Sequence, residues 1–258
     1  MEQIANRVLR LEFVGAMGAG KTTLFNATWQ TRGWSSVYQE KRRIAWNQCK
    51  CAPRLIRKTK LGIAILLPFL PESAFDRLLL GVAYGLLDES PERYGPIARV
   101  AFSSPVSVGL RPSEYVRKQA MFIRDLLDVA LIQRYSRGRC VLHAESLLQR
   151  GLALGLASQN MSRFAGEFVS SLPGPTHSVF LRGSEAQLRE RLITRDGSAS
   201  RHLRSLSHAI YMAEALIVEL TARGHSVLVL DSAAPTSVNV RLVLDWWAAQ
   251  SLDVSHRV

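Results

Sequence analysis

One segment near the amino terminus has the residue types and spacing of a phosphate-binding loop. It reads Gly15-Ala16-Met17-Gly18-Ala19-Gly20-Lys21-Thr22. Glycines let backbone N–H groups turn inward toward phosphate oxygens, and a following helix offers its positive N-terminal end to the same anion. Lys21 would reach the β and γ phosphates, and the Thr22 hydroxyl would ligate Mg²⁺. The spacing therefore predicts a nucleoside triphosphate site over residues 15–23, Thr23 included, with ATP and Mg²⁺ as its ligands.

The surroundings of this loop match what the motif requires. Residues 8–14 predict an apolar strand that enters the loop, and residues 23–29 continue into a helix expected to end near Arg32 and Gly33. The alternative is a glycine-rich turn with an incidental lysine. That alternative would leave three glycines and a Lys-Thr pair correctly spaced by accident.

A second reactive group is expected where another buried strand ends. Residues 140–144 form a short apolar run, and Glu145 follows it at the carboxyl end, where ligands bind to a doubly wound sheet. Glu145 is the candidate for a Mg²⁺ carboxylate or for the base that accepts a substrate hydroxyl proton. The competing interpretation is that Glu145 only caps the next short helix.

Two arginines could neutralise charge during phosphoryl transfer. Arg191 and Arg195 are four residues apart and so share one helix face. Negative charge develops on the transferred group, and nearby guanidinium groups stabilise it. The loop 196–201, with Gly197 and Arg201, predicts a short lid. The alternative is that these arginines are ordinary solvated surface residues.

Four segments together resemble the nucleoside and nucleotide kinase group of P-loop proteins, its thymidylate-kinase-like and deoxynucleoside-kinase-like branch. They are residues 15–22, Ala144-Glu145-Ser146, residues 179–195 and residues 224–231. Only the first is sharply specific. The resemblance implies an ATP-dependent, Mg²⁺-requiring kinase with the loop at Asp231 against a purine. The equally weighted alternative is that Asp231 caps the turn that leads to Pro235.

The chain departs from this family at Ala144, where relatives often carry an acidic residue. We expect activity to be retained through Glu145, because one carboxylate with Mg²⁺ can suffice when catalysis is mainly positioning and charge stabilisation. His143 and Glu145 also match the His-x-Glu of zinc deaminases, but the Pro-Cys-x-x-Cys of those enzymes does not follow.

Composition sets the broad class. The chain has 258 residues, a formal net charge of +12 and three cysteines, Cys49, Cys51 and Cys140. Three cysteines make no disulfide framework, and Cys49 and Cys51 lack a second pair at metal-ligand spacing. With neither an evident signal peptide nor a transmembrane run, we expect a cytoplasmic protein. The charge indicates an anionic partner, although no nucleic-acid-binding motif is present.

The apolar pattern predicts a three-layer α/β P-loop fold with about five parallel strands. Strands are expected at residues 8–14, 34–40, 140–144, 178–181 and 226–230, and helices at 112–135, from Ser184, at 208–223 and at 236–249. Along the helix 112–135, the predicted inward residues are Val116, Ala120, Ile123, Leu127 and Leu131. Residues 41–111 have a different texture, with apolar clusters broken by prolines, which predicts a helical insertion in a single domain.

That insertion is expected to hold the acceptor. Its basic residues suggest an anionic or phosphorylated small molecule; they are Arg42, Arg43, Arg54, Arg57, Lys58 and Lys60. For these basic residues, a solvated edge of a helical core ranks first, the acceptor subsite second and a peripheral membrane contact third. For the whole chain, the leading hypothesis is an ATP-dependent kinase. The second is a nucleotide-dependent regulatory ATPase or switch that acts on a protein or membrane partner.

Overall fold

A computed structural model describes residues 9–31, 34–50, 72–103, 112–136, 139–198 and 200–256. In these residues five parallel strands form one sheet in the order β2-β3-β1-β4-β5. The strands are β1 Leu9–Gly15, β2 Ser35–Ser36, β3 Cys140–His143, β4 His177–Arg182 and β5 Ser226–Asp231. The predicted α/β fold with five parallel strands is confirmed.

Helices flank the sheet in the described residues. They are α1 Lys21–Thr31, α2 Val37–Lys50, α3 Glu72–Glu89, α4 Pro91–Ser103, α5 Pro112–Tyr135, α6 Leu147–Gly155, α7 Met161–Ser170, α8 Glu185–Asp196, α9 Arg201–Arg204, α10 Leu206–Ala222 and α11 Thr236–His256. None of the helices in these residues is long and apolar enough to cross a membrane.

The central strand positions the phosphate loop. Leu11, Phe13 and Val14 of β1 are fully buried, as expected for a parallel strand with helices on both faces. Glu12 of β1 pairs with His143 of β3, and Gly15 pairs with Leu181 of β4. The loop that follows Gly15 therefore opens at the carboxyl edge of the sheet, between the ends of β3 and β4.

The second strand is shorter than residues 34–40, which the sequence predicts. Only Ser35 and Ser36 pair with β3, and α2 begins at Val37. The Ser36 N–H donates to Gln39 Oε1 at 3.0 Å, and the Gln39 N–H donates to Ser36 Oγ at 3.3 Å. This reciprocal capping pair satisfies free amides of the first helical turn, which favours a helix where alternation suggested a strand.

Helix α5 has the predicted bounds, but its buried side differs from the predicted one. Leu127 and Leu131 are buried as expected, whereas Val116 is 63% exposed. Ala120, at its neighbouring inward position, is also exposed. Helix α5 packs against α2, α3, α4 and α6, so several of its faces are enclosed, and Phe122 is fully buried. A single stripe at helical spacing cannot represent a helix that is enclosed on several sides.

Other predicted boundaries hold. Ser184 caps α8 through a complete capping box with Gln187. Gly224, at φ +74°, ends α10, and Val243 and Trp247 of α11 are buried. The region 41–111 contains most of α2 together with α3 and α4, but its predicted apolar cluster 61–67 lies outside the described residues. Its status as an insertion stays a prediction.

Candidate active site

The loop between β1 and α1 has a backbone that only glycine accommodates well. Gly18 has φ +82° and Gly20 has φ +87°, in the left-handed region that other residues rarely adopt. A Cβ on Gly15 would lie 2.8 Å from the carbonyl oxygen of Leu181, so this position also excludes a side chain. The loop therefore turns sharply at the sheet edge, and α1 begins directly after it at Lys21.

Lys21 is a largely buried cation, and its hydrogen bonds to other described residues are all to the loop itself. Its Nζ donates to the carbonyl oxygens of Gly15, at 2.9 Å, and Ala16, at 3.1 Å. Within the described residues no carboxylate forms an ion pair with it. Burial lowers the pKa of Lys21 to about 8, while the charge of Glu145 acts in the opposite direction and that of Arg195 lowers it further. A desolvated ammonium without a counter-ion is what an anion-binding loop requires.

Glu145 lies in the bend that follows β3, next to the loop strand. Its side chain is 47% exposed, and its Oε2 lies 3.3 Å from Arg150 Nη1. The alternative that Glu145 caps the next helix is not supported, because Ser146 is the N-cap residue of α6 and the Leu148 N–H donates to Glu12 Oε2. Glu145 is therefore available at the same sheet edge as Lys21 and Thr22.

Arg150 joins Glu145 to a second carboxylate that the sequence did not reveal. The Arg150 Nε donates to Asp125 Oδ2 at 2.7 Å, and Asp125 comes from the long helix α5. Burial raises the pKa of Asp125 to about 6, although the charge of Arg150 opposes this. Two carboxylates and one guanidinium group thus face one region from three different segments of the chain.

A cavity of about 500 Å³ opens beside Glu145, and we call it the β3-side cavity. Its apolar lining includes the aromatic residues Phe25, Trp29 and Tyr38. Its ionised lining residues are Arg124, Asp125, Asp128, Glu145 and Arg150. Thr22, the second residue of α1, also lines it, so this cavity reaches the end of the phosphate loop.

A second cavity of about 360 Å³ lies on the other side of the loop, and we call it the β5-side cavity. It is bounded by Gly18, Gly20 and Thr23 on the loop side and by Ser232 and Asn239 on the β5 side. Arg191 is the one ionised residue of its described lining. Consecutive residues at the start of α1 therefore border the two cavities, Thr22 the first and Thr23 the second.

The structure separates the two predicted arginines. Arg191 Nη2 donates to the Ser232 carbonyl oxygen at 2.8 Å, and Nη1 lies 3.5 Å from the Gly18 carbonyl oxygen, so Arg191 bridges the loop and the segment after β5. Arg195 instead pairs with Asp196 through two 2.7 Å hydrogen bonds and is 59% exposed. Arg191 is at the site in this conformation, whereas Arg195 influences Lys21 only through its charge.

The predicted lid begins at a defined helix end. Helix α8 ends at Asp196, Gly197 has φ +81°, and Ser200 Oγ accepts the His202 N–H as the cap of α9.

Asp231 caps its own turn, because its Oδ1 accepts the Ala233 N–H at 2.7 Å. Of the two interpretations of Asp231, the structure favours the turn cap.

The remaining candidates have structural surroundings. His143 is buried, and desolvation lowers its pKa well below the ordinary value. Burial raises the pKa of the Cys140 thiol to about 12. No group of three His, Cys, Asp or Glu residues that could hold a metal occurs in the described residues. The Cys49 side chain and Cys51 lie outside those residues.

Only two members of the predicted basic approach are described, and neither is in the described lining of the β3-side or the β5-side cavity. Arg43 donates to Glu40 and to the Tyr135 carbonyl oxygen, while the Arg42 guanidinium lies 5.7 Å from the Tyr38 ring centroid. The other four, Arg54, Arg57, Lys58 and Lys60, lie outside the described residues.

The charged residues of α5 were not predicted from the sequence as part of the site. Arg124 and Asp128 are four residues apart on a largely apolar helix, a spacing that places both on one face. Asp128 accepts two 3.0 Å hydrogen bonds from the fully buried Lys41 Nζ of α2. Charged residues inside an otherwise apolar helical pattern were the available signal, but their partners come from distant segments.

Comparison with known proteins finds similarity among solved structures, several of which are kinases. No family model matches the chain, and no curated protein matches it. A deoxyadenosine kinase from M. mycoides with bound dCTP is 10% identical, with 93% of this chain and 100% of that chain covered and a TM-score of 0.48.

A gluconokinase from Sinorhizobium meliloti is 17% identical, with 96% of this chain and 97% of that chain covered and a TM-score of 0.41. A sugar kinase from Janibacter sp. is 14% identical, with 93% and 95% covered and a TM-score of 0.39. Each named activity is that of the compared protein. The structure of this chain is an α/β fold: in the described residues one five-stranded parallel sheet is flanked by helices, with a glycine-rich loop after its central strand.

Proposed function

We propose that this protein is an ATP-dependent kinase that transfers the γ-phosphoryl group to a hydroxyl of a small molecule. The observation that supports this most is a pair of cavities on either side of the start of α1, with Thr22 in the lining of one and Thr23 in the lining of the other. A phosphate loop between two cavities can hold a phosphoryl donor and an acceptor at once. A protein that only switches between nucleotide states needs a single such cavity.

The β5-side cavity suits the donor. Its lining contains the main chain of Gly18, Ala19 and Gly20, and Arg191 is its ionised residue in the described part of the chain. Backbone amides and one guanidinium group favour a polyphosphate over an uncharged ligand. In this proposal Arg191 holds the nucleotide between the loop and the segment after β5, while Arg195 reaches the phosphates only after it leaves Asp196.

The β3-side cavity suits an acceptor without a phosphate group. Its described lining carries three carboxylates and two guanidinium groups, and Arg150 is already engaged by Asp125 and Glu145. The Asp128 carboxylate is paired with Lys41, so the charges around this cavity balance and an acceptor phosphate would gain no net attraction there. Aromatic side chains and hydrogen-bonding groups favour an uncharged molecule with an apolar body. The acceptor is therefore proposed to be uncharged rather than anionic.

Each residue then has a distinct role in the transfer. Lys21 and the loop amides hold the β and γ phosphates in line with the acceptor hydroxyl, and Glu145 accepts its proton or holds the metal. The donor set of the Thr22 hydroxyl and the Glu145 carboxylate fits Mg²⁺, which prefers few protein oxygens together with phosphates and water. Mg²⁺ would neutralise charge on the transferred group.

A thermal-shift screen with paired ligands tests this proposal. ATP with Mg²⁺ should raise the melting temperature, and a true acceptor added with a non-hydrolysable ATP analogue should raise it further, since each ligand binds only the folded state. The matched control is Lys21→Met, in which the nucleotide effect should disappear while the acceptor effect remains. Stabilisation by nucleotide alone, across a broad panel of uncharged hydroxyl compounds, would favour a switch over a kinase.

A further inference from the structure

Helix α6 begins directly after the bend that carries Glu145, and its first turn is held by the neighbouring strand. Ser146, the N-cap residue, makes no side-chain capping bond. The Leu148 N–H donates instead to Glu12 Oε2 at 3.1 Å. Glu12 is fully buried in β1, where its Oε1 lies 2.9 Å from Arg10 Nε. The start of α6 is therefore fixed to the strand that leads into the phosphate loop.

Gln149, the next residue of α6, makes the reciprocal contact. Its side chain is only 7% exposed, and its Oε1 accepts the N–H of Gly15 at 3.2 Å across 134 residues of sequence. Two hydrogen bonds thus join the segments in opposite senses. In one the α6 main chain donates to a β1 side chain, and in the other the loop main chain donates to an α6 side chain.

Gly15 accepts a hydrogen bond through its carbonyl oxygen and donates one through its N–H, and only the first involves a group expected to contact the phosphates. Its carbonyl oxygen accepts Lys21 Nζ, which is the group expected to turn toward phosphates when they bind. Its N–H is directed to Gln149, a residue that lines neither the β3-side nor the β5-side cavity in the described residues. The Gln149 contact can therefore persist when Lys21 changes partner.

We infer that Gln149 is a positioning residue that fixes the phosphate loop relative to the bend of Glu145. This inference rests on the proposed function, because it assigns Gln149 to the geometry between the phosphates and the carboxylate that serves the acceptor or the metal. Without the Gln149 acceptor, the buried Gly15 N–H loses its partner and the loop is free to leave the conformation that binds phosphate.

Gln149→Met tests the assignment, because methionine keeps the length of the side chain and removes the acceptor. A tenfold smaller population of the binding-competent loop raises the apparent Kd tenfold. We therefore expect the Kd of Mg·ADP, measured by calorimetry, to rise about tenfold, and the preference for ADP over AMP to fall, because the loop holds the β phosphate. A role in folding alone would lower the melting temperature without changing that preference.

Gln133→Met is the matched control. Gln133 Oε1 also accepts one hydrogen bond, from Tyr94 Oη at 2.9 Å, but it lies on α5 away from the loop. Its replacement should lower the melting temperature and leave both nucleotide affinities unchanged. Should Gln149→Met fail to fold, Gln149→Asn supplies a shorter polar side chain that cannot reach Gly15, and the same change in preference is expected.

An ADP-over-AMP preference in Gln149→Met equal to that of the wild type and of Gln133→Met would overturn the assignment. The measurement requires nucleotide binding but no phosphoryl transfer. The two failures can therefore be distinguished. If the wild type binds Mg·ADP but phosphorylates nothing, the proposed function is contradicted, and the nucleotide preference of Gln149→Met still tests the assignment of Gln149.

Discussion

Raising the pH through the pKa of Lys21 should weaken nucleotide binding, and this prediction follows directly from the surroundings of that side chain. Burial lowers the pKa of Lys21 to about 8, and its hydrogen bonds go only to the carbonyl oxygens of Gly15 and Ala16. The ammonium is charged at pH 7 and ready for a phosphate. Above the pKa the amine is neutral and offers no charge to the ligand.

The magnitude follows from the protonated fraction. With a pKa of about 8 in the free protein, roughly nine-tenths of Lys21 is charged at pH 7 and roughly one-tenth at pH 9. If Mg·ADP binds only the charged form, its Kd rises about tenfold over this interval, which corresponds to about 1.4 kcal/mol. The bound phosphates raise the pKa of Lys21 again, so binding above pH 8 should also take up a proton.

The same shift predicts how stability depends on pH. The lysine pKa is about 10.4 in an unfolded chain, so between pH 8 and that value the unfolded state binds a proton that the folded state has released. The contribution of Lys21 to the free energy of unfolding therefore increases as the pH rises through this window. At pH 7 both states are charged, and burial of the ammonium costs about 3 kcal/mol.

Calorimetry of Mg·ADP binding at several pH values, in buffers of different ionisation enthalpy, measures both the affinity and the proton uptake. Lys21→Arg is the control, because a guanidinium group stays charged over this range. We expect the wild type to lose affinity between pH 7 and pH 9 and the arginine variant to keep whatever affinity it has. Parallel pH profiles for the two proteins would refute the reasoning.

Two further substitutions test neighbouring parts of the site. Lys41→Met removes the buried partner of the Asp128 carboxylate and should lower the free energy of unfolding, measured by urea titration, by about 3–5 kcal/mol. The double variant with Asp128→Leu should recover most of this loss. A single variant as stable as the wild type would contradict the prediction. Glu145→Gln should reduce turnover about a hundredfold or more. Its melting temperature should stay within a few degrees of the wild type, because this side chain is 47% exposed. Activity near the wild-type level would show that another group serves the metal and the acceptor.

Local patterns predicted the parts of the fold that depend on neighbouring residues. Pro112 predicted the start of α5, and Ser184 with Gln187 predicted the start of α8. The second strand was predicted too long, because the Ser36 and Gln39 capping pair competes with an alternating pattern. Such a pair is visible in the sequence, so that error was one of weighting between two local signals.

The parts of the site that depend on packing between distant segments could not be predicted from the sequence. The predicted phosphate loop is a continuous segment, so its glycine spacing, the apolar residues before it and the residues after it predicted the turn, the strand and the helix. The β3-side cavity is assembled from α1, α2, α5 and the end of β3, and nothing local relates Asp125 to Arg150 or Gln149 to Gly15. Charged residues of α5 therefore gained a role only when the helix was placed beside the sheet edge.

The most direct test of the central claim is transfer of the label from [γ-³²P]ATP, with Mg²⁺ present, to a panel of uncharged hydroxyl compounds. The two-cavity arrangement predicts that the label enters one class of small molecule and that Lys21→Met abolishes the transfer. Release of labelled inorganic phosphate alone, at a rate that no member of the panel changes, would contradict the assignment of the β3-side cavity to an acceptor.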